Sequence, residues 1–202
     1  MDINERIARR VRDLRSERGY SLDTLAERSG VSRSSISLIE RAQTSPTANV
    51  LDKLATALDV TLASLFDERS GENAPPSPVA RRADQPVWTD PASGYVRRNL
   101  SPTEPSPLQY VEVMFPAGER VAYDTGTRDN EVWQQIWVID GTIEITLGDT
   151  TRTTRTTWRL DTGDCLAMRL DQPIGYYNPT SATAHYLVGL VTLPFVAARR
   201  AT

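Results

Sequence analysis

The chain of 202 residues holds one cysteine, one histidine, one lysine and three phenylalanines. A single cysteine, Cys165, excludes an internal disulfide and a cysteine-rich zinc site as supports of the fold. With no histidine near it in sequence to activate it, Cys165 reads as an ordinary buried thiol. His185 falls in β-type sequence, where a lone histidine is more often packed or hydrogen-bonded than catalytic. No run approaches the roughly 18 apolar residues needed to span a membrane. The opening MDINERIARRVRDL is a charged amphipathic helix without the apolar stretch of a secretory signal, so a cytoplasmic protein with no membrane partner is expected. Excess positive charge is missing as well: 23 basic against 26 acidic residues leave a formal charge of -3, so any grip on phosphates must come from local placement of arginines.

What is present is organised around Ser21 to Pro46. Leu22, Leu25 and Ala26 recur at helical spacing behind Ser21, a good capping residue, and Gly30 is suited to the left-handed conformation that ends a helix. Ser32 caps a second helix whose buried side is marked by Ile36 and Ile39, leaving Arg33, Ser34, Ser37 and Leu38 on the other faces. An apolar Leu38 turned outward needs a functional reason. Around this pair, Asn4 to Glu17 shows Ile7, Val11 and Leu14 at helical spacing, Thr47 to Leu58 forms a fourth helix, and Leu62, Leu65 and Phe66 mark a short fifth.

The string ERSGVSRSSISLIERAQTSPT within roughly Asn4 to Phe66 resembles the Cro/C1-type (XRE) DNA-binding domain, with Thr24 where relatives often carry the Glu of a capping box. The resemblance implies that the second helix of the motif lies in the DNA major groove, wide enough to admit a helix. On that reading Arg33 and Ser34 reach base edges, and Leu38 lies against a thymine methyl from the helix that also bears Ser37. Ser21, Ser35, Thr44 and Ser45 are placed for phosphate contacts, which set register without reading sequence. Glu40 matches a family glutamate that pairs with a first-helix arginine, here Arg15, in a structural role.

Residues 68–86 are rich in Pro, Ser, Gly and charge and read as a linker between a domain over 1–67 and another over 87–195. Beyond it, helical periodicity gives way to short segments rich in Val, Ile, Thr, Tyr and Trp. Strands are expected at Tyr95 to Leu100, Leu108 to Phe115, Gln134 to Ile139, Thr142 to Leu147, Thr156 to Leu160, Cys165 to Arg169, Gly175 to Asn178 and Thr183 to Leu193. Asp140-Gly141 signals a hairpin, and TTRTTRTT from Thr150 to Thr157 an extended tip.

Pro116 to Gly118, VIDGTIEITLGD from Val138, LDTGDCL from Leu160, and Pro173 through Asn178-Pro179 together resemble a cupin domain. The fold expected is therefore a multidomain α plus all-β chain, a five-helix helix-turn-helix domain followed by a cupin-like β-barrel (double-stranded β-helix). Metal-dependent cupins use three histidines and a glutamate; here Arg120 to Asn130 has no histidine, Gln134 stands for the glutamate and Ile174 for the last histidine. A neutral amide and an isoleucine do not replace carboxylate and imidazole, so no metal, no cofactor and no catalytic residue are expected.

The barrel interior is then left for an organic effector. Strand alternation and the resemblance together turn Gln134, Ile136 and Val138 inward and Trp133, Gln135 and Trp137 to the other side, under a neighbouring strand or at a subunit contact. Ile174 and Tyr176 share the interior, with Tyr123 at its mouth. The function expected is a DNA-binding transcriptional regulator, not an enzyme, that binds a double-stranded operator as a homodimer and answers a small molecule. The alternatives are a metal-dependent cupin enzyme with a DNA-binding-like head, and a regulator whose barrel only dimerises.

Overall fold

The structure, a computed structural model, describes residues 2–66, 76–124, 130–148 and 155–194. Four α-helices come first: α1 Ile3–Glu17, α2 Leu22–Ser29, α3 Arg33–Glu40 and α4 Ala48–Ala57. Each starts at a side-chain cap. Ser21 Oγ accepts from Thr24 N at 3.0 Å and Ser32 Oγ from Ser35 N at 3.1 Å. Thr24 lacks the reach of a glutamate, but its hydroxyl meets Ser21 Oγ at 2.9 Å and so stays tied to the cap. Gly30 ends α2 at φ 67°, the left-handed region that a Cβ disfavours.

Ile7, Val11, Leu14, Leu25, Ile36, Ile39, Leu51, Leu54 and Leu58 fill the helical core, all but excluded from solvent. Arg15 clasps Glu40 with two bonds, Nε to Oε1 at 2.6 Å and Nη2 to Oε2 at 2.9 Å, which fastens α1 to the end of α3.

The expected fifth helix is corrected to one 3-10 turn, Ala63–Leu65. Only a few residues separate the positive-φ turn at Asp59 from Phe66, too few to offset the cost of nucleating an α-helix, and the bonds from Ser64, Leu65 and Phe66 each reach back three residues. Ala63, Leu65 and Phe66 are nonetheless buried.

The rest is all β: β1 Val87–Thr89, β2 Val96–Asn99, β3 Leu108–Phe115, β4 Arg120–Tyr123, β5 Asn130–Asp140, β6 Thr142–Leu147, β7 Thr156–Asp161, β8 Cys165–Arg169, β9 Ile174–Tyr177 and β10 Ala184–Pro194. They form a six-stranded antiparallel sheet in the order β1-β2-β3-β10-β5-β8 and a four-stranded one in the order β4-β9-β6-β7. From β3 to β6 each connection passes from one sheet to the other. β1 and β4 went unforeseen, since three or four residues are too few for alternation to show.

Asp140-Gly141 is not the hairpin expected: β5 pairs with β8 and β10, whereas β6 pairs with β7 and β9. The turn instead carries the chain between sheets. Gly141 has φ 85°, and a Cβ there would lie 3.1 Å from Ala184 Cα and Thr183 O, so both conformation and space call for glycine. Residues 150–154 of the expected TTRTTRTT tip lie outside the described residues.

Helical and β parts share one continuous core. Rings run from Phe66 to Trp88 (5.5 Å between centroids), Tyr95 (5.7 Å), Phe115 (5.7 Å) and Tyr186 (6.4 Å). Polar contacts flank that chain: Asn49 Nδ2 donates to Ala122 O at 3.0 Å, Asn99 Nδ2 to Ala63 O at 2.9 Å, and Thr61 Oγ1 to Gln109 Oε1 at 2.8 Å. Of the expected linker, residues 67–75 are outside the described set; 76–81 are mainly exposed, and Arg82–Asp84 makes a 3-10 turn. No helix among the described residues is long and apolar enough to cross a membrane.

Candidate functional site

The first candidate is the outer surface of α3. The Ser32 cap and the Arg15–Glu40 clasp fix its two ends, while Ile36 and Ile39 anchor its inner side. Arg33, Ser34 and Leu38 stand exposed, Leu38 at 37%, and Ser35 and Ser37 are half-buried. Arg33 Nε pairs with Asp23 Oδ1 at 3.1 Å between two largely exposed side chains, a contact easily exchanged because exposed ion pairs hold weakly. Ser32 Oγ meets Ser34 Oγ at 3.0 Å and Ser35 Oγ at 2.7 Å. Ser21, Thr44 and Ser45 are exposed at the start of α2 and in the turn after α3.

The second candidate is a cavity of about 60 Å³ walled mainly by the β domain, with Asp52, Thr61 and Leu62 of the helical part closing one side. A buried water needs roughly 10–15 Å³ on such a measure, so this space admits several waters or a small molecule. Tyr123, Gln134, Ile174 and Tyr176 line it. Ile136, expected beside them, is fully buried but does not line the cavity. Two residues along a strand is about 7 Å, enough to take an inward side chain past the cavity into packed core.

Within the cavity Gln134 Nε2 donates to Tyr176 Oη at 2.8 Å, Tyr95 and Tyr123 share a hydroxyl contact of 2.9 Å, and the Tyr123 and Tyr176 rings meet edge to face at 5.7 Å. Burial pushes the phenols of Tyr95, Tyr123, Tyr176 and Tyr186 above their ordinary pKa of about 10, so they stay protonated. Each offers a neutral O–H rather than a phenolate.

Sequence reasoning missed the two charged residues of this wall, Arg97 and Asp52. A signal existed for both. Tyr95, Arg97 and Asn99 alternate inward along β2, and Asp52 follows Ala48 by four residues on the buried stripe of α4. A charge in phase with core residues marks a site.

Gln134 and Ile174 both line the cavity, and among the described residues no three of His, Cys, Asp and Glu are grouped so as to hold a metal ion. His185 Nε2 lies 3.1 Å from Glu112 Oε1 on the outer side of the six-stranded sheet. Cys165 is exposed, not buried: on β8 the alternation turns Met168 inward and Cys165 out.

Trp133 and Trp137 are also exposed, at 44% and 50%. Across β10 they register with Val191 and Leu187, and Val191 registers with Leu108 of β3, giving the sheet an apolar outer face.

Residues 11–65 match the helix-turn-helix family HTH_3. Over 64 residues the chain is 45% identical to the HTH-type transcriptional regulator SinR of Bacillus subtilis (strain 168), a stretch covering 31% of this chain and 58% of SinR. The chain thus spans little more than half the length of the SinR relatives it matches. The HTH-type transcriptional regulator SutR of Escherichia coli (strain K12) is 26% identical over 176 residues, 87% of this chain and 89% of SutR. A crystal structure of an HTH_3 family transcriptional regulator from Vibrio cholerae superposes over 94% of this chain and 96% of its own, with TM-score 0.71 and 21% identity, a likeness of fold.

The expectation that the chain is not an enzyme is corrected. Hydroxypropylphosphonic acid epoxidase from S. wedmorenis matches over 94% of this chain and 98% of its own at TM-score 0.45 and 16% identity. A likeness at that score neither assigns an activity to this chain nor excludes one. Residues 11–65 thus carry a helix-turn-helix domain of the HTH_3, Cro/C1 (XRE) type, at the head of a chain whose second part is built from two antiparallel sheets.

Proposed function

We propose that this chain is a sequence-specific DNA-binding transcriptional regulator controlled by a small organic effector. The observation that carries the reading is α3, rigidly held at both ends and along its inner side, with Arg33, Ser34 and Leu38 left exposed. In the major groove Arg33 and Ser34 read base edges and Leu38 meets a thymine methyl. Ser21, Ser35, Ser37, Thr44 and Ser45 border that contact and hold phosphates. Working on DNA places the protein in the cytoplasm.

The units are a DNA-binding domain over 1–67, a linker over 68–86, and an effector and dimerisation domain over 87–195 that closes as a cupin-like β-barrel. Tyr123, Gln134, Ile174 and Tyr176 bind the effector, with Ile136 supporting the wall from the core. Two copies meet through the apolar outer face around Trp133 and Trp137, which sets two α3 helices about one DNA turn apart on a roughly palindromic site. The cavity favours sensing over a barrel that only dimerises, since a purely structural interior would be filled.

Selection of bound fragments from genomic DNA of the source organism, at stated salt, tests the reading. The expected result is a recurrent palindromic site; recovery of fragments without a shared sequence overturns it.

A further inference from the structure

The wall of the cavity carries charges of both signs and no net charge. Among the described residues that line it, Asp52 of α4 is the acid and Arg97 of β2 the base, the one 4% exposed and the other 8%. Asp52 has an interaction partner within the protein, so it makes no demand on a ligand. Tyr95, Tyr123, Tyr176 and Tyr186 add no further charge, because burial keeps their phenols protonated. A charged ligand entering this space gives up its hydration for a wall that carries no net opposite charge, and such a transfer is costly.

What the wall lacks is an acceptor. Among the described residues Arg97 Nε has no hydrogen-bond partner, and the side chain that bears it is more than nine-tenths buried. A buried donor left unpaired is costly, and an acceptor oxygen on a ligand removes that cost. Tyr176 Oη accepts from Gln134 Nε2 at 2.8 Å, which leaves its own O–H to donate into the same cavity. A carbonyl oxygen has two lone pairs with which to accept and carries no charge. Leu62, Val113, Ile174 and Leu190 make the rest of the wall apolar, suited to a short hydrocarbon group.

We propose that the cavity binds a small uncharged carbonyl compound, an amide or ketone on a short aliphatic group, its oxygen toward Arg97, at a site that the helical and β parts build together. This deepens the effector reading and rests on it. Thr61 and Leu62 reach the cavity from beyond α4, and Thr61 Oγ1 donates to Gln109 Oε1 at 2.8 Å across the same boundary. A ligand held between the two parts favours their docked arrangement over a separated one. Where the operator discriminates between those arrangements, operator and ligand change each other's affinity by one common factor.

The test is ligand-observed NMR and thermal-shift measurement on the full chain with molecules of one branched shape: isobutyramide, methyl isopropyl ketone, isobutyrate, protonated isobutylamine and isopentane. The amide or the ketone is expected to bind, with isobutyrate and the ammonium at least about 10-fold weaker, the mark of a charge buried without compensation. In Arg97→Met, which keeps an apolar stem and removes the donor, the advantage of the carbonyl compound over isopentane is expected to disappear. Three results on the unmodified chain overturn the inference without depending on a variant folding: no binding by the amide or the ketone, isobutyrate or the ammonium binding as tightly, or isopentane binding as tightly. Operator binding in the same preparation separates the two readings. Specific DNA binding without amide or ketone binding sinks this inference alone, whereas carbonyl binding without a specific DNA site sinks the regulator and leaves the ligand site standing.

Discussion

Asp90 Oδ1 accepts the backbone N–H of Ala48 at 3.0 Å, so a carboxylate of the β domain sits at the first turn of α4 in the helical domain. Asp90 is 2% exposed, and its other oxygen is held by Ser93 N at 3.0 Å and Ser93 Oγ at 2.5 Å. Negative charge at a helix N-terminus meets unbonded N–H groups and the positive end of the helix dipole. The bond thus fixes the helix that brings Asp52 into the cavity.

Asp90→Ala is expected to destabilise the protein by about 2 kcal/mol, through a lost cap and unpaired buried donors. Urea unfolding measures it. An unchanged midpoint would mean that water takes over the carboxylate's bonds.

Glu40→Ala is expected to cost more, roughly 3 kcal/mol, because it leaves the half-sequestered Arg15 guanidinium without its bidentate partner. The hydrogen bonds that Arg15 donates to the Glu40 carboxylate are the main reason that the Arg15 pKa is raised, with burial opposing them. Glu40→Gln should recover part of the loss in the same unfolding assay.

Arg33→Ala should relax discrimination at one base position by about 1–3 kcal/mol while keeping the fold, since Arg33 is exposed and its ion pair is with exposed Asp23. Binding measured across a set of single-base operator variants separates this from a uniform loss, which would make Arg33 a phosphate contact.

Alkaline pH should destabilise the fold. Tyr95, Tyr123, Tyr176 and Tyr186 have pKa values raised by burial above the 10.0 of an exposed phenol, so the unfolded chain releases these protons first. Their contribution is complete below about pH 10 and is lost as pH climbs from there toward the folded values. Urea midpoints recorded with tyrosinate absorbance check the sign; a midpoint that rises with pH above 10 would contradict it.

Trp137→Glu places charge in the apolar outer face without entering the core, as Trp137 is half exposed. Sedimentation should show the monomer gaining at the expense of the dimer, with weaker operator binding; a dimer of unchanged strength would move the interface elsewhere.

The sequence by itself determined the helical head. Caps at Ser21 and Ser32, the stop at Gly30 and the spacing of Ile36 and Ile39 act within a few residues, so local chemistry suffices to write α2 and α3. Strands β3, β6 and β8 appear within the bounds their alternation predicts, for the same reason. The inward side of β5 was legible too, and with it Gln134.

Tertiary structure decided the rest. Whether Asp140-Gly141 closes a hairpin or crosses between sheets depends on which strands pair far along the chain, and nothing local in a turn records that. Ile136 and Gln134 share a face, yet only the packing around each decides which one meets the cavity. Asp52 and Arg97 are 45 residues apart by number, and their presence in one wall arises from the docking of α4 on the β domain, a contact that neither domain's periodicity contains.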